Sequence, residues 1–211
     1  MNAVDSARNI GVVMDSTLSM VQHVSAVCKS AYAHLRNIAK FRRYLTQDAT
    51  ATLVHSLVTS RLDNMNSLLY GLPDTQLNKL QRIQNHASKV IMKKKKHDHV
   101  TPILQSLHWL KIPYRIEYKL LLLTYKCLHG KAPEYLAAKL EKYVPGRALR
   151  SGDQDLLVER RAKLKSYGER SFSVAAPKLW NKLPHDLRSS GSVYIFKAKL
   201  KTFLFKKCYG V

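Results

Sequence analysis

The chain has 211 residues, 36 basic and 14 acidic, for a formal charge of +22, and 45% of its residues are hydrophobic. That apolar content is enough to build a core and excludes wholesale disorder. Residues 1–140 hold 20 basic and 8 acidic side chains and residues 141–211 hold 16 and 6, so the excess is no detachable tail; a compact chain this charged repels itself, and a polyanion, above all nucleic acid, relieves the cost.

Cys28, Cys127 and Cys208 stand singly, without Cys-x-x-Cys or knuckle spacing. This argues against a disulfide framework or a structural zinc and fits a reducing, intracellular setting, with nucleus and cytoplasm not distinguished. Met1 is followed by a polar stretch with Asp5 and Arg8 rather than a signal peptide.

In chain order, Asn9–Met14 reads as a short β-strand, and Asp15, Ser16 and Ser19 as caps after it. Val21, Val24, Cys28, Ala31, Leu35 and Ile38 recur at helical spacing, with His23 and His34 off that stripe and expected in solvent. The helix ends in Lys40, Arg42 and Arg43, where cations suit the dipole. Thr46 caps a helix over about residues 47–62, and residues 63–70 are ambiguous. Gly71-Leu72-Pro73 is a break, after which Asp74 or Thr75 caps a helix with Leu77, Leu80, Ile83, Ala87, Val90 and Ile91 inward.

That helix runs into Lys93-Lys94-Lys95-Lys96, the densest charge in the chain. The run is either a phosphate-contacting loop or a solvated helix end. His97 and His99 follow with no third ligand placed, so a surface loop is expected there and no metal. Thr101-Pro102 predicts a helix start, and Pro113 to Gly130 predicts the central core helix, with His108-Trp109-Leu110 as a packed corner before it. Lys119, Glu117 and Lys126 interrupt its apolar run, which excludes a membrane span. Lys131-Ala-Pro-Glu begins a short helix with Tyr135, Leu136 and Leu140 buried.

Residues 144–168 change character and read as a loop or a small hairpin near 145–168. Arg147, Arg150, Arg160, Arg161, Lys163 and Lys165 alternate there with Leu164 and Tyr167, a mix that suits single-strand binding and equally an ordinary loop. Ser171 and Ser192 cap the last two longer helices. The final one carries Phe196, Leu200, Phe203 and Leu204 inside and Lys197, Lys199, Lys201, Lys206 and Lys207 outside.

The expected fold is thus mainly α: a multi-helix bundle with a short N-terminal strand. Carboxylates are scattered, no Asp-Asp pair exists, glycines are single, and no nucleophile elbow is present. No cofactor is implied. The residues read as a basic, helical, non-catalytic module.

Several phrases, taken together, add a family. Asn9-Ile10-Gly11-Val12 with Asp15, Ser60-Arg61-Leu62-Asp63, Gly71-Leu72-Pro73, Leu80-Gln81 with Gln84-Asn85 and Ala87, and Leu107-His108-Trp109-Leu110 with Arg115-Ile116 occur in that order. Ala176-Pro177, Leu179-Trp180-Asn181, Leu183-Pro184, Leu187-Arg188, Phe196-Lys197 and Leu200-Lys201 follow. Over residues 9 to 205 the chain resembles the region after the palm in reverse transcriptases of non-LTR (LINE-type) retrotransposons. It departs from the family pattern at Asn64-Met65, where Tyr-Cys is usual, and at Lys111, where Pro is usual.

The resemblance implies a palm-end strand and thumb-like helices over 1–92, a basic linker over 93–100, and a C-terminal helical region over 101–211 packed around helix 113–129. It also implies that the family's Asp-Asp catalytic motif belongs upstream, so that origin in an RNA-directed DNA polymerase does not confer its activity. The expected partner is RNA or an RNA–DNA hybrid, gripped by shape and charge through Arg42, Arg43, Lys93, Lys94, Lys95, Lys96, Arg160, Arg161, Lys163 and Lys165, with the missing palm as a further partner. A decayed reading frame or structural remnant without independent activity stays open beside this binding module.

Overall fold

The computed structural model describes residues 5–145, 155–164 and 166–210. The protein is mainly helical, with a small antiparallel sheet near the N-terminus. It divides into two compact units, 1–115 and 116–211.

The first unit opens with a hairpin, not the single strand expected. Strand β1 (Ser6–Asn9) pairs with β2 (Val12–Asp15), Asn9 opposite Val12. Ile10 and Gly11, both at positive φ (46° and 81°), form a two-residue turn of the primed type that matches strand twist. Gly11 therefore serves the turn instead of flanking a longer strand. Asp15 then gathers the chain: its carboxylate accepts from the backbone N–H of Ser19 (2.7 Å) and of Met20 (2.9 Å) and from the Thr17 hydroxyl (2.7 Å). These bonds hold its carboxyl down at about 2.

Helix α1 (Val21–Phe41) follows, burying Val24, Ala31, Leu35 and Ile38 as its periodicity requires. His23 is buried too, 4% exposed, because its Nδ1 accepts the Val13 N–H of the hairpin packed over it (3.4 Å). The expectation that it sits in solvent fails because a second element covers that flank of α1. A tight turn, Arg42–Tyr44, leads to Thr46, whose hydroxyl caps α2 (Gln47–Val54) by accepting from Ala49 N–H. The helix continues through a wide turn at His55–Thr59, where Ser60 N–H reaches back to His55 C=O, into α3 (Ser60–Asp63). Val54, Val58 and Leu62 are all buried.

After a break at Asn64 and Met65, α4 (Asp74–Ile91) buries Leu80, Ile83, Ala87, Val90 and Ile91. Neither Asp74 nor Thr75 caps it; Pro73 occupies that position. Helix α5 (Val100–Ser106) starts one residue before Thr101 and without a side-chain cap. Its end is a Schellman motif: Trp109 N–H bonds Leu104 C=O and His108 N–H bonds Gln105 C=O, with His108 left-handed where glycine is usual. Trp109 is buried and meets the His55 ring edge-on at 5.5 Å.

Two glutamines of α4 fix the corner that follows. Gln84, 1% exposed, donates to Leu110 C=O (2.8 Å), and the Gln81 side-chain oxygen accepts from Ile112 N–H (2.8 Å). Arg115 forms a two-pronged ion pair with Asp63, Nε to Oδ1 at 2.9 Å. Three of the phrases read from the sequence therefore meet: Leu80–Asn85 touches the Trp corner, and Ser60–Asp63 touches Arg115 of that same corner phrase.

Helix α6 (Ile112–Leu128) contains the division between units. In the second unit it contributes Ile116, Leu120, Leu121, Tyr125 and Cys127 to the core. Helix α7 (Glu134–Ala137) buries nothing, and Tyr135 is 69% exposed, contrary to expectation. The chain at 141–143 pairs antiparallel with 156–158, through Tyr143 N–H to Leu156 C=O and Val158 N–H to Glu141 C=O. The rest of the expected hairpin falls largely on residues 146–154, outside the described residues.

Asn181, the residue just after α8 (Phe172–Trp180), pins this segment. Its side-chain amide exchanges bonds with both the N–H and the C=O of Leu157 (2.9 Å each), and Trp180 Nε1 donates to Asp155 C=O (2.8 Å). Ser171 does not cap α8; its hydroxyl donates to Gly168 C=O instead. After α9 (His185–Arg188), α10 (Val193–Tyr209) is capped by Ser192 and buries Phe196, Leu200 and Leu204. Phe196 stacks on Tyr125 at 4.2 Å. Among the described residues no helix is long and apolar enough to cross a membrane.

Candidate nucleic-acid interface

Helices α1 and α4 pack along each other, and their apolar stripes face inward. On α4 the next stripe carries two cations and a histidine: Arg82, His86 and Lys89, spaced four and three apart, share one side of the helix. With Asn85 of the same helix, Ala39 and Arg42 at the end of α1, and Lys94 and Lys96 beyond α4, they line a groove of about 580 Å³. Among the described residues, five of those lining it are Lys or Arg and none carries a carboxylate.

The end of α4 shapes one wall. Lys94 N–H bonds Lys89 C=O across a left-handed Lys93 (φ 51°), which matches the outer bond of the motif that ends α5. The Lys89 ammonium donates to Lys96 C=O at 2.6 Å, folding the loop back over its own helix. Asp98 accepts from Lys95 N–H (2.7 Å), so the nearest acid in sequence organises backbone rather than neutralising a lysine. Among the described residues the ion pairs are Arg115–Asp63, Arg160–Glu141, Lys199–Asp186 and Lys207–Glu117; none uses a groove cation. Burial, and secondarily Lys89, push the His86 imidazole below its ordinary range, favouring its neutral form.

Of the residues singled out from the sequence, Arg42, Lys94 and Lys96 meet in this groove. Lys93 is the left-handed cap, and Lys95 is exposed on the loop. Arg43 turns its guanidinium over the Tyr44 ring, 4.6 Å from its centre. Arg160, Arg161 and Lys163 are exposed in the second unit, and Arg160 pairs with Glu141 at 3.4 Å. Such an exposed pair is worth only about 0–1 kcal/mol. Lys165 lies outside the described residues. Arg82, His86 and Lys89 do not stand out as a run in the sequence; their helical spacing is the signal that finds them.

Among the described residues no group of three or more His, Cys, Asp and Glu could hold a metal ion, and His97 and His99 belong to no such group. No protein-family model, curated protein or solved structure matches the chain.

Proposed function

We propose that the chain is a non-catalytic module of reverse-transcriptase origin, of the post-palm type its phrases resemble, and that the α1–α4 groove grips the phosphate backbone of RNA or an RNA–DNA hybrid. The observation that carries the reading is the convergence of Arg42, Arg82, Lys89, Lys94 and Lys96 on one groove without a carboxylate in its walls. Each cation that meets a phosphate releases a condensed counterion, so affinity falls steeply with salt. The exposed bases at Arg161 and Lys163 then contribute at most a diffuse attraction.

The test is affinity for RNA measured across salt concentrations. Five phosphate contacts give a log–log slope of about −3.5 to −4.5, and Arg82→Gln with Lys89→Gln makes it shallower by about 1.4–1.8. A slope that the double variant leaves unchanged, or no binding even at low salt, refutes the groove. A loss confined to Arg161→Gln with Lys163→Gln moves the interface to the second unit.

A further inference from the structure

We propose that this groove takes a single-stranded segment, with an unpaired base stacked on the aromatic turn that ends α1; the inference rests on the groove reading above. Phe41 and Tyr44 are 61% and 72% exposed, beside a helix whose other large apolar residues from Val24 to Ile38 are mostly buried. The turn interleaves ring and charge. Phe41 precedes Arg42, which lines the groove, and Arg43 lies over one side of the Tyr44 ring at 4.6 Å. That contact holds the ring in place, which lowers the entropy a stacking partner must overcome.

The same turn adjoins the lysine loop. Gln47 Nε2 lies 3.2 Å from Met92 Sδ, so the segment just beyond Tyr44 touches the residue immediately before Lys93. No carboxylate occurs between Asp15 and Asp48, or between Asp74 and Asp98. Within each stretch of the chain the rings and the groove cations thus follow one another without an acid between them, Asp48 and Asp98 closing the two stretches. In a duplex the faces of the bases are covered by their neighbours, and only phosphates and groove edges reach a protein. In a single strand each base has a free π-face, and sequence-tolerant stacking beside a cationic track is the usual way to hold it.

The experiment uses the full chain and a labelled RNA of about 12 nucleotides, within the roughly 4–16 that a compact single-strand site covers. The same RNA in a blunt duplex is measured at equal salt. The expected result is at least about tenfold tighter binding of the single strand. Phe41→Ala with Tyr44→Ala removes that advantage and leaves duplex affinity within about twofold, whereas Phe41→Trp with Tyr44→Phe keeps it. Both positions are exposed, and circular dichroism checks that the variants keep the helical fold. Equal or tighter binding of the duplex, or an equal loss on both RNAs in the alanine pair, overturns the inference and leaves the groove standing. Binding indifferent to Arg82→Gln with Lys89→Gln overturns the groove, and the inference falls with it.

Discussion

Replacing Gln84 by glutamate tests the corner between α5 and α6 without changing its volume. The native amide donates to Leu110 C=O at 2.8 Å and accepts from Gln81 Nε2 at 2.9 Å, with 1% of the residue exposed. An ionised carboxylate keeps the second bond and opposes the first, oxygen against oxygen. A protonated carboxyl restores both, since its O–H donates. Full burial raises a carboxyl by up to about 3–5 pKa units; the remaining Gln81 bond reduces this to about 2–3. At 1.36 kcal/mol per unit the variant loses about 2.7–4 kcal/mol.

The sign follows from proton uptake. Above the ordinary glutamate value of about 4.3 the unfolded variant has released its proton and the folded one retains it. Stability relative to the native chain therefore falls as pH rises from there to the raised folded value, and is level above it. Urea midpoints of both proteins at several pH values give the difference. Trp109 lies in the first unit and Trp180 in the second, so 5-fluorotryptophan resonances report each unit separately. A difference between the two proteins that stays constant with pH means that the amide does not donate to Leu110, and the clamp is refuted.

Two further outcomes follow from the first unit. His23 and His86 are both held below the usual histidine range by burial. The unfolded chain thus binds their protons first: the stability they confer is full above about 6.5 and declines as pH falls below it, and thermal melts between pH 7.5 and 5 should flatten when both are glutamine. Lys93→Gly, which relieves a left-handed φ of 51°, should stabilise the unit by up to about 1 kcal/mol, while Lys93→Ala should not. Equal urea midpoints for the two variants would show that the left-handed cap is absent.

The long helices were legible because burial of one stripe leaves a period: α1, α4, α6 and α10 fall close to where Ile38, Ile83, Leu120 and Leu200 put them. Caps were only partly legible. Thr46 and Ser192 accept from their helices, but Ser171 finds a closer carbonyl at Gly168, and a hydroxyl's choice among neighbours is not written in spacing. His23 departs from its helical pattern because its cover, the hairpin, comes from an element whose packing direction no local pattern shows. The site was half legible for a related reason. Runs such as Lys93–Lys96 draw attention by density, yet a groove is made by faces. Arg82 and Lys89 stand isolated in sequence and come beside Arg42 only when α4 lies along α1.

The wide turn at His55–Thr59 has a bearing on how this protein tolerates changes in length. In a regular α-helix each step of four residues overshoots a full turn by about 40°, so Leu62 would sit roughly 80° around from Val54. The wide turn absorbs that overshoot, and Val54, Val58 and Leu62 all reach the core. Removing one residue from 55–59 would place Leu62 seven positions after Val54 in an unbroken α-helix, about 20° from alignment. The same deletion in α4 would swing everything after it by about 100° and carry Lys89 off the groove. The helix from Gln47 to Asp63 thus holds one residue of slack, and the helix that builds the groove has no such wide turn to supply it.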